Sequence, residues 1–197
     1  MNMIYLDNAA TTPISDNVLK VMNEVMKNNF GNPSSTHSFG RDSKSIIELT
    51  RKNIANELKI NANEVYFTSG GTESNNMIFH SAIYFHGIER IISTKIEHKA
   101  VLKCIDTYCN NKNVDAVYLS VDRTGKPDLK ELEDFLKNDN KKTLVSLMHI
   151  NNEIGTIIDL KKVGEICNKY NSLFHSDTVQ TVGHYFIDLE NIYINYL

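Results

Sequence analysis

Four groups of polar residues stand just beyond runs of strand-forming residues. They are Ser69-Gly70-Gly71-Thr72 after VYF, Glu97-His98 after RIISTK, the HINNE run from His149 to Glu153 after TLVSLM, and His175-Ser176-Asp177 after SLF, with Gln180 behind it. The first junction, VYFTSGGTESNN at 65–76, passes from a strand pattern to a helical one through two adjacent glycines. Glycine lets backbone N–H groups approach a ligand, and the first turn of a helix has amides without intrahelical partners, so an anion such as a phosphate fits there. Taken alone, the stretch reads equally well as a tight turn with no ligand.

A single His or Asn at a strand end is ordinarily a structural hydrogen bonder. Here one sheet edge would gather a phosphate cradle, an imidazole, an amide and a carboxylate, because ligands of open α/β sheets lie beyond the carboxyl ends of the strands. That set suits an aromatic, phosphorylated cofactor whose ring nitrogen is held by an acid. Pyridoxal 5'-phosphate (PLP) has these features: it withdraws electrons well only while its pyridine nitrogen is protonated, and a nearby carboxylate favours that cation. Asp177, at the end of a buried strand, is placed for this role; the alternative is that it caps a following helix.

The elements that must position these residues alternate along the chain. Val18, Val21, Met22, Val25 and Met26 recur at helical spacing behind Ser15, which predicts a helix over 15–27. A second helix is predicted over about 40–58, with Ile47, Thr50, Ile54 and Leu58 on one face. Strand and helix patterns then pair: VYFT with TESNNMIFHSAIYF, RIISTK with HKAVLKCIDTYC, VDAVYLSV with DLKELEDFLK, and TLVSLMHI with DLKKVGEICNKY, followed by SLFHSDT. This is the signature of βαβ units, hence an α/β fold with a mainly parallel sheet flanked by helices. Continuous apolar runs such as IIS and LVSLMHI fit strands covered on both faces.

Composition narrows the function classes. The 197 residues are 41% hydrophobic and 23% charged, as in an ordinary globular protein. A formal net charge of −3, with no basic run, argues against nucleic acid or an anionic membrane as the main partner and favours a small molecule. No apolar stretch reaches bilayer length and the N-terminus has no secretory pattern, so a cytoplasmic protein is expected. Cys104, Cys109 and Cys167 have neither CxxC spacing nor histidines at metal-ligand spacing, and are expected to be packing residues. No metal site is expected.

Six stretches carry a family resemblance: YLDNAATTP (5–13), FGNPSSTHSFG (30–40), VYFTSGGTESNN (65–76), ISTKIEHKAVL (92–102), MHINNEIGTI (148–157) and HSDTVQTVG (175–183). In this order they resemble the N-terminal half of cysteine desulfurases of the NifS/IscS type, in the class V aminotransferase superfamily with the PLP fold-type I architecture. The resemblance implies that Gly71 and Thr72 bind the cofactor phosphate and that His98 stacks on the pyridine ring and relays protons. It implies that Asp177 pairs with the ring nitrogen, that Gln180 bonds the phenolic oxygen, and that Asn152 lies near that oxygen and the substrate carboxylate. Asn8, Ala9 and Thr11 would lie near the substrate, although a plain turn also explains them. For His98, a polar residue opening a helix is the alternative. The 30–40 segment would lie near the active-site and dimer surfaces; turn chemistry alone would also account for its composition.

The implied layout is an N-terminal active-site segment, 1–14, and a partial PLP-binding large domain, 15–197, with the C-terminal small domain missing. The implied activity converts L-cysteine to L-alanine and an enzyme-bound persulfide, for iron–sulfur cluster assembly or tRNA thiolation. The family's Ser-x-His-Lys motif with its Schiff-base lysine, its carboxylate-clamping arginine and its mobile-loop cysteine have no counterpart here, so the chain alone is expected to be inactive. Lys99, although it follows His98, is expected to be a surface residue. The expected partners are L-cysteine, a sulfur acceptor such as an iron–sulfur scaffold, and a second subunit or complementary C-terminal chain that would cover an open sheet edge. Selenocysteine lyase or another class V enzyme, and a non-catalytic PLP-binding scaffold, are the competing readings.

Overall fold

The computed structural model describes residues 4–112 and 114–197, so residues 1–3 of the expected N-terminal segment lie outside it. The chain divides into two units, Met1–Tyr66 and Phe67–Leu197. In the first, α1 (Asp16–Asn28) starts where the Ser15 hydroxyl accepts the Val18 N–H. Helix α2 (Ser38–Leu58) starts where His37 Nδ1 accepts the Gly40 N–H, and it ends at Lys59 in the left-handed region. Both lie within a residue or two of the sequence expectation. Of the four residues predicted on one face of α2, Ile47, Ile54 and Leu58 are half-buried. Thr50 is exposed, its hydroxyl turned back onto the Ile46 carbonyl, and Ala55 is the buried apolar residue instead. Between the two helices, residues 30–40 fold onto themselves: Phe30 and Phe39 stack with ring centroids 5.5 Å apart, and Asn32 accepts the Ser34 N–H.

The second unit holds the sheet. Strands β1 (Arg90–Ser93), β2 (Asp115–Tyr118), β3 (Thr143–Ser146) and β4 (Leu173–His175) form an all-parallel sheet in the order β2-β1-β3-β4. Helices α3 (Gly71–His86), α4 (Lys99–Lys112), α5 (Leu129–Lys137) and α6 (Leu160–Lys169) complete the βαβ alternation. Asp128 and Asp159 cap α5 and α6 by accepting first-turn amides, which explains why those helices begin where they do.

The strand period of two sorts side chains into two cores. Ile91 and Leu144 face a cluster with Phe79, Val101 and Ile105 from α3 and α4. Their neighbours Ile92, Val145 and Phe174 face the opposite cluster, with Leu132 and Val163 from α5 and α6. In register, Ile92 lies beside Val145 and Val145 beside Phe174, so one layer of large side chains crosses three strands. Cys104 and Cys167 are buried in these cores, as expected of packing residues.

One expected strand does not form. Val65 is extended, at φ −95° and ψ 120°, but residues 65–68 join no ladder among the described residues, and Tyr66 is 70% exposed. Propensity in VYFT is propensity for a pleated surface; a strand exists only where another backbone pairs with it. The sheet's two edges also differ. Beyond β4, the Tyr196 carbonyl accepts the Ser176 N–H and the Phe174 carbonyl accepts the Asn195 and Tyr196 amides. The outer edge of β2 pairs with no strand among the described residues.

Candidate functional site

The polar groups named at the strand ends meet along the carboxyl edge of this sheet, within the second unit. Helix α3 begins at Gly71 after Gly70, whose φ of 154° suits glycine, and no side chain caps it. Ser69 instead turns its N–H and hydroxyl to the Glu73 carboxylate, both at 2.6 Å. Those two bonds, the side-chain one first, hold the Glu73 carboxyl below its ordinary pKa. A helix start left open in this way keeps its first amides and the positive end of its dipole available to an anion. At Gly71 a Cβ would lie 2.9 Å from Val179 Cγ2, so the glycine lets the loop after β4 close against the helix.

That loop carries Asp177, 8% exposed. Its Oδ2 accepts from Asn75 Nδ2 at 3.1 Å and its Oδ1 from the Val179 N–H at 3.1 Å. The Asp177 carbonyl accepts the His149 N–H at 3.0 Å, which ties the exits of β3 and β4 together. Gln180 is half-buried one turn further along. The alternative role for Asp177, capping a helix, does not arise, since no α-helix follows it among the described residues.

Glu97 supports the other side of the edge. It is buried, and both its oxygens lie 3.0 Å from the Met148 N–H, while Oε1 also accepts from the Thr94 hydroxyl at 3.2 Å. Burial is the main cause that raises its pKa to about 8; the two hydrogen bonds oppose the rise and the Asp177 charge adds to it. Asn151 extends the tie, donating to the Ile96 carbonyl at 2.7 Å and accepting the Glu153 and Ile154 amides. Below the edge, His175 pairs its Nδ1 with the Ser146 hydroxyl at 2.9 Å, and burial pushes it down to about 4.

His98 and Asn152, two of the four residues expected at the ring, are less enclosed than Asp177. His98 is exposed and opens α4, its Nδ1 accepting the Ala100 N–H at 3.2 Å. Asn152 is half-buried and donates to its neighbour Glu153 at 2.8 Å. Lys99 is exposed in the first turn of α4, matching its expected surface position. Asn8, Ala9 and Thr11 belong to the first unit, in an exposed turn where the Asp7 carbonyl accepts the Ala10 and Thr11 amides.

Sequence reasoning overlooked two residues of this edge. Glu97 reads in the sequence as one polar residue beside His98, although a carboxylate directly after a buried strand signals a tether to backbone amides. Asn75 is indistinct inside the ESNN run; its signal is its spacing, four residues after Gly71 and three after Thr72.

Residues 4–197 match the family Aminotransferase class-V, and the chain belongs to that family. It is 40% identical over 196 residues to the cysteine desulfurase IscS of Dictyoglomus turgidum, covering 98% of this chain and 49% of the relative. Among solved structures, a NifS-like protein superposes with a TM-score of 0.88 at 37% identity, covering 98% of this chain and 53% of that one. A structure described as SspA in complex with cysteine gives a TM-score of 0.88 at 28% identity, covering 96% of this chain and 55% of its own. The chain therefore spans about half the length of the relatives it matches. The parallel α/β architecture expected from the alternating pattern is the fold of these cysteine desulfurases.

Proposed function

We propose that the chain supplies the cofactor-binding part of a PLP-dependent cysteine desulfurase. The observation that carries this reading is the buried Asp177 carboxylate, held from two sides beside an uncapped helix start whose glycine admits close approach. The donor set fits the group: Gly71 and Thr72 for the phosphate, Asp177 for the ring nitrogen, Gln180 for the phenolic oxygen, and Asn152 for that oxygen and the substrate carboxylate. When bound, PLP supplies a pyridinium that disperses the negative charge developing at the substrate's Cα.

The protein's own groups do the rest. Helix α3 presents its amides and dipole to the phosphate and so anchors one end of the cofactor. Asp177 holds the proton on the ring nitrogen, because a carboxylate favours the cation beside it. His98, at the start of α4, would lie against the ring and relay protons. Its bond from the Ala100 amide to Nδ1 leaves the ring neutral with its proton on Nε2, so the ring would release the helix cap to take up a proton at Nδ1, and the imidazolium so formed would give one from Nε2. In the net reaction a thiol R–SH takes the substrate's sulfur: the C–S bond of L-cysteine breaks, an S–S bond forms in R–S–SH, and the carbon chain leaves as L-alanine. Burial raises Cys104 to about 11 and Cys167 to about 12, so neither buried thiol provides the thiolate. A sulfur-acceptor protein, a second subunit, a cytoplasmic setting and a role in iron–sulfur cluster assembly or tRNA thiolation belong to the same proposal.

The test is a titration of the chain with PLP followed by absorbance, then borohydride reduction and peptide mapping. Saturable binding without an adduct on Lys99 is expected; no binding, or an adduct on Lys99, overturns the reading. Alanine release from L-cysteine is then measured with the chain alone and with the C-terminal half of a relative added. No turnover is expected from the chain alone, since no residue in it matches the family's Schiff-base lysine, and turnover is expected on complementation.

A further inference from the structure

Asn75 and Asn76 are adjacent and meet opposite fates. Asn76 is exposed and folds its amide onto the Thr72 carbonyl at 2.8 Å, a local contact within α3. Asn75, about 100° around the helix, is 3% exposed and sends its amide across to Asp177 Oδ2, 102 residues away in sequence. A buried side-chain bond between a helix's second turn and the loop after the sheet's last strand needs a reason beyond helix stability, for which a leucine would serve better.

We infer that Asn75 is a positioning residue for the cofactor: it fixes the Asp177 carboxylate against the helix that carries the phosphate-binding amides, so that one rigid element sets both ends of the ligand. This rests on the PLP reading proposed above. A carboxylate has about four lone-pair directions on its two oxygens. Asn75 takes one on Oδ2 and the Val179 N–H takes one on Oδ1, which pins the carboxylate plane and leaves further acceptor capacity on each oxygen for a ring N–H. Gly71 completes the arrangement, since the loop bearing Asp177 brings Val179 Cγ2 to 2.9 Å from where a Cβ at position 71 would stand. Positions 71, 72 and 75 share one helix face. The spacing between phosphate site and carboxylate is therefore set within α3 and carried across by a single bond.

Two ligands separate this role from a structural one: PLP, and the carbocyclic analogue in which C–H replaces the ring nitrogen, a 2-hydroxybenzaldehyde with the same phosphate arm. Each is titrated against the wild-type chain, Asn75→Ala and Asn75→Ser by absorbance and fluorescence. The expected result is a loss of about tenfold in PLP affinity in both variants, with the carbon analogue bound as in the wild type to within about twofold, because only PLP uses Asp177. Equal losses for both ligands, as a collapsed site would produce, overturn the inference, as does unchanged PLP affinity. Failure of the wild-type chain to bind PLP overturns the cofactor reading itself, and this inference with it.

Discussion

Helix α1 and helix α6 carry similar sequence patterns, each an apolar stripe behind a side-chain N-cap and a lysine in the last turn. Helix α6 buries Leu160, Val163 and Cys167 in the core beside the sheet and Gly164 beneath the Tyr193 backbone. Helix α1 buries none of its residues; Val18, Val21, Met22 and Met26 are all at least 43% exposed. The stripe predicts that a helix forms and which side wants cover, and both helices formed. It says nothing of whether cover is present, because that depends on backbone brought from elsewhere in the chain. The same contrast runs through the two units: among the buried apolar residues of the described chain, only Ala55 lies in Met1–Tyr66.

The largest effect that tests this contrast is expected at Phe174, which is fully buried on β4 in the layer that α5 and α6 cover. Phe174→Ala should lower stability by about 3–5 kcal/mol, the usual loss for emptying an aromatic core site. Chemical denaturation followed by circular dichroism measures it, and a loss below about 1 kcal/mol would erase the distinction between the covered and uncovered regions.

A second effect, of a few kcal/mol, belongs to the polar side of the covered region. The folded state holds Glu97 protonated, its pKa raised by burial from the ordinary 4.5 to about 8. The folded chain then binds more protons than the unfolded one between those values. This contribution is whole below about pH 4.5 and disappears as pH rises through about 8. Glu97→Gln keeps an acceptor for the Met148 amide and removes the titration. Melting temperatures from pH 6.5 to 8.5 lie above the range of His175, which burial pushes down to about 4. They should fall more steeply for the wild type than for the variant, and parallel profiles would refute the assignment.

Gly71→Ala is expected to act on the scale of about 1 kcal/mol. Alanine is the better helix former, but its methyl meets Val179 Cγ2 at 2.9 Å. PLP affinity should drop several-fold in the single variant and recover in Gly71→Ala with Val179→Ala, a double-mutant cycle in which additivity would exclude the clash. The smallest effect is predicted for Met22→Ala on α1, which should change the stability of the chain by no more than about 0.5 kcal/mol. A loss comparable to that of Phe174→Ala would mean that α1 is covered after all.

Much of the architecture was legible in the chain itself. The four strands that formed are those with β-branched or aromatic runs next to a helical pattern, and Asp128, Asp159 and Ser15 mark helix starts where caps were found. Residues 65–68 failed as a strand although their propensity matched the others, since propensity is local and pairing is not. At the site, Asp177 stands just beyond the end of β4, a placement that the chain's pattern alone makes legible. Its two partners divide by distance: the Val179 amide is two residues away and readable as loop geometry, whereas Asn75 is 102 residues away and was not. Thr50 shares a face of α2 with Ile47, Ile54 and Leu58 by spacing, yet it alone of the four is exposed, its hydroxyl donating to the Ile46 carbonyl within its own helix.

The sequence alone determined the order of helices and strands, the parallel sheet they imply, the open helix start at Gly71 and the family to which the chain belongs. These follow from local backbone preference, from hydrophobic period and from motifs that are contiguous in the chain. Only the tertiary structure decided that Asn75 rather than Asn76 holds Asp177, that Glu97 is buried against the Met148 amide, and that α6 is covered while α1 is not. Each of those outcomes is a contact between distant segments, and its energy depends on desolvation and on partners that no local pattern encodes.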